Sequence, residues 1–258
     1  MVIDHLSVSQ INLYLMCSLK YRFQYIDELP KTFKSSGLAF GSVMHSSLEW
    51  FHKEMMKGKE IPLEALYKIF EVDWYAQKAD VEIRFKEGED EMRLSVLGKE
   101  FLTLYYNLPL RKVKGAEIFF HNLPLGNNGD KLEVPLEGII DLVEDDDTIV
   151  EFKTSARKID AQTLKDQLQL TAYSYAYEML FRKRPKSLKI INFIKTRTPK
   201  MVELETTRGK EDYEKLFSMA RDVLKGIRAE IFMPRQSFMC KDCEYGVECR
   251  GQGESLTK

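Results

Sequence analysis

The sequence predicts an α/β protein whose core follows the order helix, three strands, helix, strand. Two apolar, β-branched runs at 138–143 and 149–154 flank the acidic segment 144–147, a pattern typical of a β-hairpin. Apolar residues recur at helical spacing before the hairpin, over 38–57, and after it, over 159–181. We therefore expect a sheet built around the hairpin, with helices packed against it.

Length and composition set the limits of this interpretation. The chain of 258 residues is 44% hydrophobic, which is enough for one large domain or two small ones. Its 39 Lys and Arg against 40 Asp and Glu give a formal net charge of -1, so contact with nucleic acid would need a local basic strip. No apolar stretch approaches the roughly 20 residues that cross a bilayer, and no signal peptide is recognisable. We expect a cytoplasmic protein, in which the four cysteines stay reduced.

Capping and breaking residues predict the remaining elements. Ser7 and Gln10 have the spacing of a capping box and predict a first helix that runs to about Tyr25 and includes Cys17. In chain order, the other expected elements are the helix over 38–57 ended by Gly58, a helix opened by Pro62, a helix over 92–106, a strand over 114–121, a turn over 125–130, the strands of the hairpin, the helix over 159–181, strands over 188–194 and 201–205, a helix over 210–231, and a cysteine-rich loop with a polar tail.

Three ionisable side chains lie in the hairpin where apolar residues would suffice. Because side chains alternate along a strand, Glu151 and Lys153 share one face. A three-residue turn at 145–147 places Asp141 directly opposite Glu151, whereas a two-residue turn would place it opposite Val150. Two carboxylates about 5 Å apart repel each other, and a bound Mg²⁺ or Mn²⁺ would remove that conflict. The alternative is an ordinary ion-pair ladder on a solvated sheet face.

The cysteines have the spacing of a metal or cluster site. Cys240, Cys243 and Cys249 lie close together near the C-terminus, and Cys17 is the fourth. Thiolates at this spacing suit either tetrahedral zinc or an iron-sulfur cluster, and the spacing does not choose between them. Either group would join the two ends of the chain, whose closure is otherwise entropically unfavourable.

Together these motifs resemble the PD-(D/E)XK nuclease superfamily, and within it the RecB-like exonucleases. The likeness is closest to the iron-sulfur-containing CRISPR-associated branch, the fourth Cas protein, and to the nuclease domain of AddB. The matching segments are 6–25, 41–45, 137–154, 167–173 and 240–249. The resemblance implies a restriction-endonuclease-like core, in which helices flank a central mixed β-sheet, with added N-terminal helices and an iron-sulfur staple joining the chain ends. The proline of the superfamily's name is absent, because Ile140 precedes Asp141.

The resemblance implies catalytic roles for the hairpin residues. Asp141 and Glu151 would bind the metal together with the backbone carbonyl of Phe152, and Lys153 would be the catalytic lysine. Hydrolysis of a phosphodiester bond would follow.

Two helices would supply the other site residues. His45, in the motif Gly41-x-x-x-His45, resembles the additional metal ligand of the RecB-like group, although a histidine on an amphipathic helix is more often packed or exposed. Gln169 and Tyr173 resemble the Q-x-x-x-Y motif of the group, in which both side chains approach the active site and the DNA. An amphipathic helix would also account for that pair.

The resemblance also assigns the cysteines. In the related proteins one N-terminal and three C-terminal cysteines hold a 4Fe-4S cluster, which implies that role for Cys17, Cys240, Cys243 and Cys249, with zinc as the other occupant. Candidate phosphate contacts, each of which a solvated basic cluster would equally explain, are Arg157, Lys158, Lys195, Arg197 and the segment 182–184.

The function implied is that of a metal-dependent DNA exonuclease acting on single-stranded DNA or DNA ends. CRISPR adaptation, recombinational repair and phage DNA metabolism are candidate settings, with an integrase or a helicase as candidate partner. The sequence contains no G-x-x-x-x-G-K-[ST] phosphate loop, so a nucleotide-driven motor would have to be another chain. The alternatives are a non-catalytic DNA-binding or scaffold subunit and a zinc-stapled binding module.

The expected domain organisation is a single nuclease domain over residues 1–258. Its parts would be a core at about 38–58 and 112–206, a helical insertion at about 60–110, and an iron-sulfur region at 1–30 plus 232–252.

Overall fold

A mixed β-sheet carries helices on both faces in this computed structural model, which describes residues 3–255 apart from Leu110 and Asn128. The helices are α1 (Val8–Met16), α2 (Ser18–Tyr25), α3 (Ser36–Met56), α4 (Leu63–Asp80), α5 (Glu91–Tyr106), α6 (Ala161–Lys165), α7 (Leu168–Phe181), α8 (Lys210–Arg228) and α9 (Gly246–Ser255). The strands are β1 (Leu6–Ser7), β2 (Lys34–Ser35), β3 (Ile83–Arg84), β4 (Val113–Leu123), β5 (Gly126–Asn127), β6 (Asp130–Lys131), β7 (Leu136–Glu144), β8 (Thr148–Ser155), β9 (Ser187–Ile194) and β10 (Lys200–Thr206). Within the described part of the chain, no helix combines the length and the apolar character needed to cross a membrane.

The central sheet has the strand order β1-β7-β8-β9-β10, and β4 also pairs with β7. β7 runs antiparallel to β4 and β8, whereas β8 and β9 are parallel. A parallel pair needs a crossover connection, which α6 and α7 supply. The order α3, β4, β7, β8, α7, β9 agrees with the predicted order of core elements. A mixed sheet flanked by helices is consistent with a restriction-endonuclease-like core.

Each face of the sheet has its own helical layer. Helices α1, α7 and α8 pack on one face through apolar side chains such as Ala172. Helices α3, α4 and α5 pack on the other face through aromatic side chains such as Phe101. Alternation along β8 divides its side chains between the layers, since Ile149 joins the first cluster and Val150 the second. Burial on both faces is the main source of stability.

The central hairpin has the predicted turn. Three residues, 145–147, join β7 to β8. Leu142 pairs with Val150, and this register, continued by one residue, sets Asp141 opposite Glu151. The prediction of an odd-length turn is confirmed.

The predicted first helix is in fact two helices. The capping box begins α1 as expected, but Cys17 then separates α1 from α2 in an extended conformation, with φ −160° and ψ 102°. The cause is a contact with the far end of the chain. The backbone N–H of Met233 donates to Ser18 Oγ at 2.8 Å, and the N–H of Leu19 donates to the carbonyl of Met233 at 3.3 Å. The prediction of one continuous helix to Tyr25 is wrong.

The helix predicted over 159–181 is also interrupted. It forms as α6 and α7, and Gln167 lies between them with φ −65° and ψ 98°. The side chain of Arg208 donates to the carbonyls of Leu164 at 2.8 Å and of Gln167 at 3.4 Å. In a continuous helix the Leu164 carbonyl would bond to a later backbone N–H, so a distant side chain supports the break.

The C-terminal segment is more regular than the predicted cysteine-rich loop. It contains a short 3₁₀ helix at Phe238–Asp242, followed by α9. Helix α8 ends at Arg228, before the predicted end at 231, and Glu230 adopts a left-handed conformation with φ 54°. The turn predicted at 125–130 is the small hairpin β5–β6. Asn128 of that turn and residues 256–258 of the polar tail lie outside the described residues.

The packing of α5 on α4 depends on Gly98. A Cβ at this position would lie 2.1 Å from Cζ of Phe70. Replacing a glycine by alanine in a helix normally stabilises it by about 1 kcal/mol, but overpacking a core destabilises by about 1–3 kcal/mol. Gly98→Ala should therefore lower the free energy of unfolding in urea. Gly37→Ala in α3, whose Cβ would meet no atom within 4 Å, is the control that should not destabilise. A Gly98→Ala protein at least as stable as wild type would contradict this packing.

Candidate active site

Asp141 and Glu151 face each other across the hairpin. Asp141 Oδ2 accepts a hydrogen bond from the N–H of Phe152 at 3.1 Å, which ties this carboxylate to the neighbouring strand. Glu151 is fully buried, and among the described residues its Oε2 has no hydrogen-bond partner. Its Oε1 forms a close ion pair with Lys153. Two carboxylates therefore lie together in the interior, with a lysine of the same strand beside them.

The two carboxyl groups differ in pKa. Burial, and after it the charge of Asp141, raises the pKa of Glu151 to about 7. Burial also acts to raise the pKa of Asp141, but the hydrogen bond and charge of His45 and the N–H of Phe152 outweigh it and lower that pKa. Near neutral pH Asp141 is therefore ionised, whereas Glu151 is present in both its protonated and its ionised form. A divalent cation would favour the ionised form of both.

Helix α3 brings His45 to Asp141. Its Nδ1 lies 3.2 Å from Asp141 Oδ2, and its side chain is 36% exposed. Burial acts to lower the pKa of His45, but the hydrogen bond and charge of Asp141 overcome this effect and raise it. As an imidazolium, His45 offsets part of the carboxylate charge. Binding of a metal would require its neutral form.

Helix α7 approaches from the opposite helical layer and brings Gln169 and Tyr173. Lys153 Nζ donates to Gln169 Oε1 at 2.6 Å, and Gln169 Nε2 donates to the hydroxyl oxygen of Tyr173 at 2.7 Å. The Tyr173 hydroxyl donates to Asp141 Oδ1 at 3.5 Å. Burial, and then the charges of both carboxylates, raises the pKa of Tyr173 well above its usual value, so the hydroxyl keeps its proton. One chain of hydrogen bonds therefore runs from Lys153 back to Asp141.

The donor set suits a hard divalent cation only in part. Glu151 and Asp141 offer two neighbouring carboxylates, the ligands that Mg²⁺ and Mn²⁺ prefer, although Oε1 of Glu151 is paired with Lys153. Over the part of the chain that the structure describes, no group of three or more His, Cys, Asp or Glu side chains is arranged to hold a metal ion. The remaining ligands would have to be a backbone carbonyl, water or substrate oxygen, all of which Mg²⁺ accepts.

Two polar groups near the site were not predicted. Asn192 pairs with Lys153 across β8 and β9, is fully buried, and lies 2.8 Å from Ser155 Oγ through its Oδ1. Its amide nitrogen has no hydrogen-bond partner among the described residues. Glu117 adopts a left-handed conformation, φ 49°, within β4, and its Oε2 lies 3.5 Å from Nζ of Lys53 in α3. For Asn192, the sequence offers one weak signal, a lone asparagine in an apolar strand. For Glu117, the sequence pattern offers no signal.

The residues predicted to contact phosphates differ in exposure. Arg157, Lys158 and Arg197 are exposed. The side chain of Lys195 is only 14% exposed and lies 3.9 Å from Glu89, and burial lowers its pKa. Lys195 is therefore already engaged within the protein.

All four cysteines line one cavity of about 520 Å³. Each thiol is free. Burial, and then the neighbouring thiols of Cys17, Cys243 and Cys240, raises the pKa of Cys249. The thiols are thus close enough to interact, although across the described ranges they form no closed metal-binding group. A cationic centre at this position would remove the repulsion between thiolates.

Comparisons with known proteins bear on the family and the fold of the chain. The sequence matches the model of the PD-(D/E)XK nuclease superfamily over residues 5–250. No curated protein matches it at a significant level. A solved structure named "Putative exonuclease", from Eubacterium rectale, is 12% identical, covers 96% of this chain and 88% of its own, and has a TM-score of 0.59. At that identity the likeness shows the fold alone. A second structure, named SSO0001, is 14% identical, and the match covers 94% of this chain and 93% of that structure. Its TM-score of 0.39 is too low to support an argument.

Glutamine at position 151 tests the electrostatics of the pair. The folded-state pKa of Glu151, about 7, exceeds its ordinary value of 4.5, so the stability that its protonated form contributes is present below about pH 4.5 and is lost as the pH rises through 7. Without divalent cations, Glu151→Gln should abolish most of the decrease in stability between pH 5 and pH 8. At pH 8 the variant should be more stable than wild type by on the order of 1–3 kcal/mol.

The measurement is urea unfolding at pH 5 and pH 8. Glu100→Gln, at an exposed carboxylate of α5, is the matched control and should behave as wild type. The same pH dependence in wild type and Glu151→Gln would show that Glu151 is not the buried titrating group.

Proposed function

Because this chain belongs to the PD-(D/E)XK nuclease superfamily, we propose that it is a divalent-metal-dependent deoxyribonuclease that acts as an exonuclease on single-stranded DNA or DNA ends. The observation that carries the proposal is the buried pair Asp141 and Glu151 with Lys153 beside it. Burial of two neighbouring carboxylates beside a single lysine is unfavourable, and packing alone gives no reason for it. A cation bound at this pair in a nuclease would provide that reason, because it would offset the buried negative charge.

The proposed cation is Mg²⁺ or Mn²⁺, held by Asp141, Glu151 and the backbone carbonyl of Phe152, with His45 as an additional ligand. When bound, such a cation lowers the pKa of a water molecule and neutralises phosphate charge. The protein supplies the geometry. The N–H of Phe152 and the hydroxyl of Tyr173 each hold one oxygen of Asp141, and the backbone register holds Glu151 opposite.

Lys153 acts on the substrate in this proposal. Its contacts with Glu151 and Gln169 hold the ammonium group at the site. From that position it can orient or help to deprotonate the attacking water, or stabilise the charge that develops on the phosphate. Gln169 fixes the lysine, and Tyr173 links Gln169 to Asp141, so that the reacting groups share one hydrogen-bond chain.

The proposal extends to the group and the setting of the enzyme. We place the chain in the RecB-like group, near the iron-sulfur CRISPR-associated and AddB branch, and the name of the similar Eubacterium rectale structure supports an exonuclease. Its work would be CRISPR adaptation, recombinational repair or phage DNA metabolism in the cytoplasm, beside an integrase or a helicase. Exposed Arg157, Lys158 and Arg197 would contact DNA phosphates. Residues 1–258 would act as one nuclease domain, because both helical layers pack on the same sheet.

We propose in addition that Cys17, Cys240, Cys243 and Cys249 bind a 4Fe-4S cluster, and zinc is the less favoured occupant. Support comes from the single cavity that the four thiols share and from the preference of iron-sulfur clusters for cysteine thiolates. Such a cluster would hold the N-terminal helices against the C-terminal segment.

Replacement of Lys153 tests the nuclease proposal. Lys153→Ala should reduce cleavage of end-labelled single-stranded DNA in Mn²⁺ or Mg²⁺ on the order of 10²- to 10⁴-fold, because it removes the general acid–base and charge-stabilising group. DNA binding, followed by fluorescence anisotropy, should persist. Lys210→Ala, at an exposed lysine of α8, should cleave as wild type. Near-normal cleavage by Lys153→Ala would remove Lys153 from the mechanism. A wild-type protein that binds DNA without cutting it would instead indicate a scaffold subunit.

The cysteine proposal has a spectroscopic test. Anaerobically purified protein should be brown, absorb near ~400 nm and contain about four iron and four sulfide per chain. Cys17→Ala and Cys243→Ala should lose iron and solubility before they lose specific chemistry. A colourless, zinc-loaded protein, or a cysteine variant with full iron content, would contradict the assignment.

A further inference from the structure

Arg208 follows β10, and its guanidinium group is buried against the start of α7. Its Nε donates to Thr171 Oγ1 at 2.9 Å. Its Nη2 donates to the carbonyls of Leu164 at 2.8 Å and Gln167 at 3.4 Å. The guanidinium therefore bonds to the end of α6, the link between the helices, and the first turn of α7.

These bonds satisfy one backbone carbonyl at the end of α6 and one at the residue that precedes α7, and so tie the two helices together. Gln167 occupies the N-cap of α7 but makes no side-chain cap hydrogen bond. The remaining nitrogen of Arg208, Nη1, donates to Thr206 Oγ1 at 2.9 Å and to the carbonyl of Thr207 at 3.0 Å, which anchors the group to the end of β10. The first turn of α7 is thus fixed to the central sheet through one side chain.

That first turn carries an active-site amide. Gln169 is the second residue of α7 and accepts the hydrogen bond from Lys153 at 2.6 Å. It lies between Gln167, the N-cap of α7, and Thr171, in its first turn, and Arg208 bonds to both residues. Any rotation or shift of this turn would move Gln169 relative to Lys153.

We propose that Arg208 is a positioning residue of the nuclease, which fixes the first turn of α7 and so holds Gln169 against Lys153; this role rests on the function proposed above. Arginine suits the role because its planar fork presents five N–H donors in fixed directions. Lysine would keep the charge but provide a single ammonium with three donors, and it could not reach the same acceptors together. Burial of a charge without a salt-bridge partner is unfavourable, and the hydrogen bonds of the guanidinium offset part of that cost.

The experiment is a double-mutant cycle between Arg208 and Gln169. Arg208→Lys should lower kcat for cleavage of single-stranded DNA on the order of 10- to 100-fold, the effect of misplacing a catalytic group by about 1 Å, and leave KM nearly unchanged. In the Gln169→Ala background the same change should have less than about a twofold effect, because the group that Arg208 positions is gone. Thr171→Val removes one acceptor of Arg208 and should reproduce the kcat loss at smaller cost in stability. Arg228→Lys, at a half-exposed arginine of α8, is the control.

Amide hydrogen exchange supplies a readout that needs no activity. Arg208→Lys should speed exchange in the first turn of α7, over 168–171, more than in α8. Equal kcat losses for Arg208→Lys in the wild-type and Gln169→Ala backgrounds would overturn the proposal, as would unchanged kcat or unchanged exchange in this turn. If the wild-type protein does not cleave DNA, the nuclease proposal fails by itself, and faster exchange confined to this turn still shows that Arg208 fixes the turn that carries Gln169.

Discussion

The repulsion between two carboxylates buried on neighbouring strands is the constraint on which the site depends. The three-residue turn and the register beside it, continued by one residue beyond the Leu142–Val150 pair, set Asp141 opposite Glu151, and a slip of one residue would carry Asp141 to the other face of the sheet. The turn is fixed at Asp147, a left-handed residue with φ 70°, whose Oδ1 accepts from Lys114 Nζ and from the Tyr177 hydroxyl, each at 2.6 Å. Polar contacts at the tip of the hairpin therefore preserve the register of the buried pair further along it.

The two helical layers offset this repulsion from opposite sides. Helix α3 supplies His45, whose Nδ1 lies 3.2 Å from Asp141 Oδ2, and α7 supplies Gln169, which orients the ammonium of Lys153 beside Glu151. Neither contribution is needed to bury apolar surface. The protein gives up stability at the hairpin to hold charged groups together, as functional sites commonly do. Since each layer reaches the carboxylates through one helix, a change in the packing of either layer will alter the geometry of the reacting groups.

How much of this could be predicted depends on the range of the interaction that decides each feature. Turn length, alternation and the register that brings Asp141 to Glu151 are local, and the sequence was sufficient for them. Breaks in helices were not predictable, because distant groups decide them. The chain is extended at Cys17 where Met233 bonds to the next residue, and α6 separates from α7 where Arg208 takes the carbonyls. Hydrophobic periodicity describes which face of a single helix or strand is apolar. It contains no information about a side chain from a distant element that bonds to the backbone of that helix or strand.

The same long-range contacts bear on what a cluster at the four cysteines would add. Lys20 Nζ pairs with Glu244 Oε2 at 2.6 Å, and Thr32 Oγ1 donates to the carbonyl of Glu244 at 2.8 Å. The buried Tyr245 donates through its hydroxyl to the carbonyl of Leu29 at 3.3 Å. These bonds already close the loop between the chain ends. Much of the conformational entropy that loop closure costs is therefore lost even when no cluster is bound. Loss of a cluster would then loosen the cysteine cavity first, while the sheet, which is stabilised by its own two helical layers, would keep its fold.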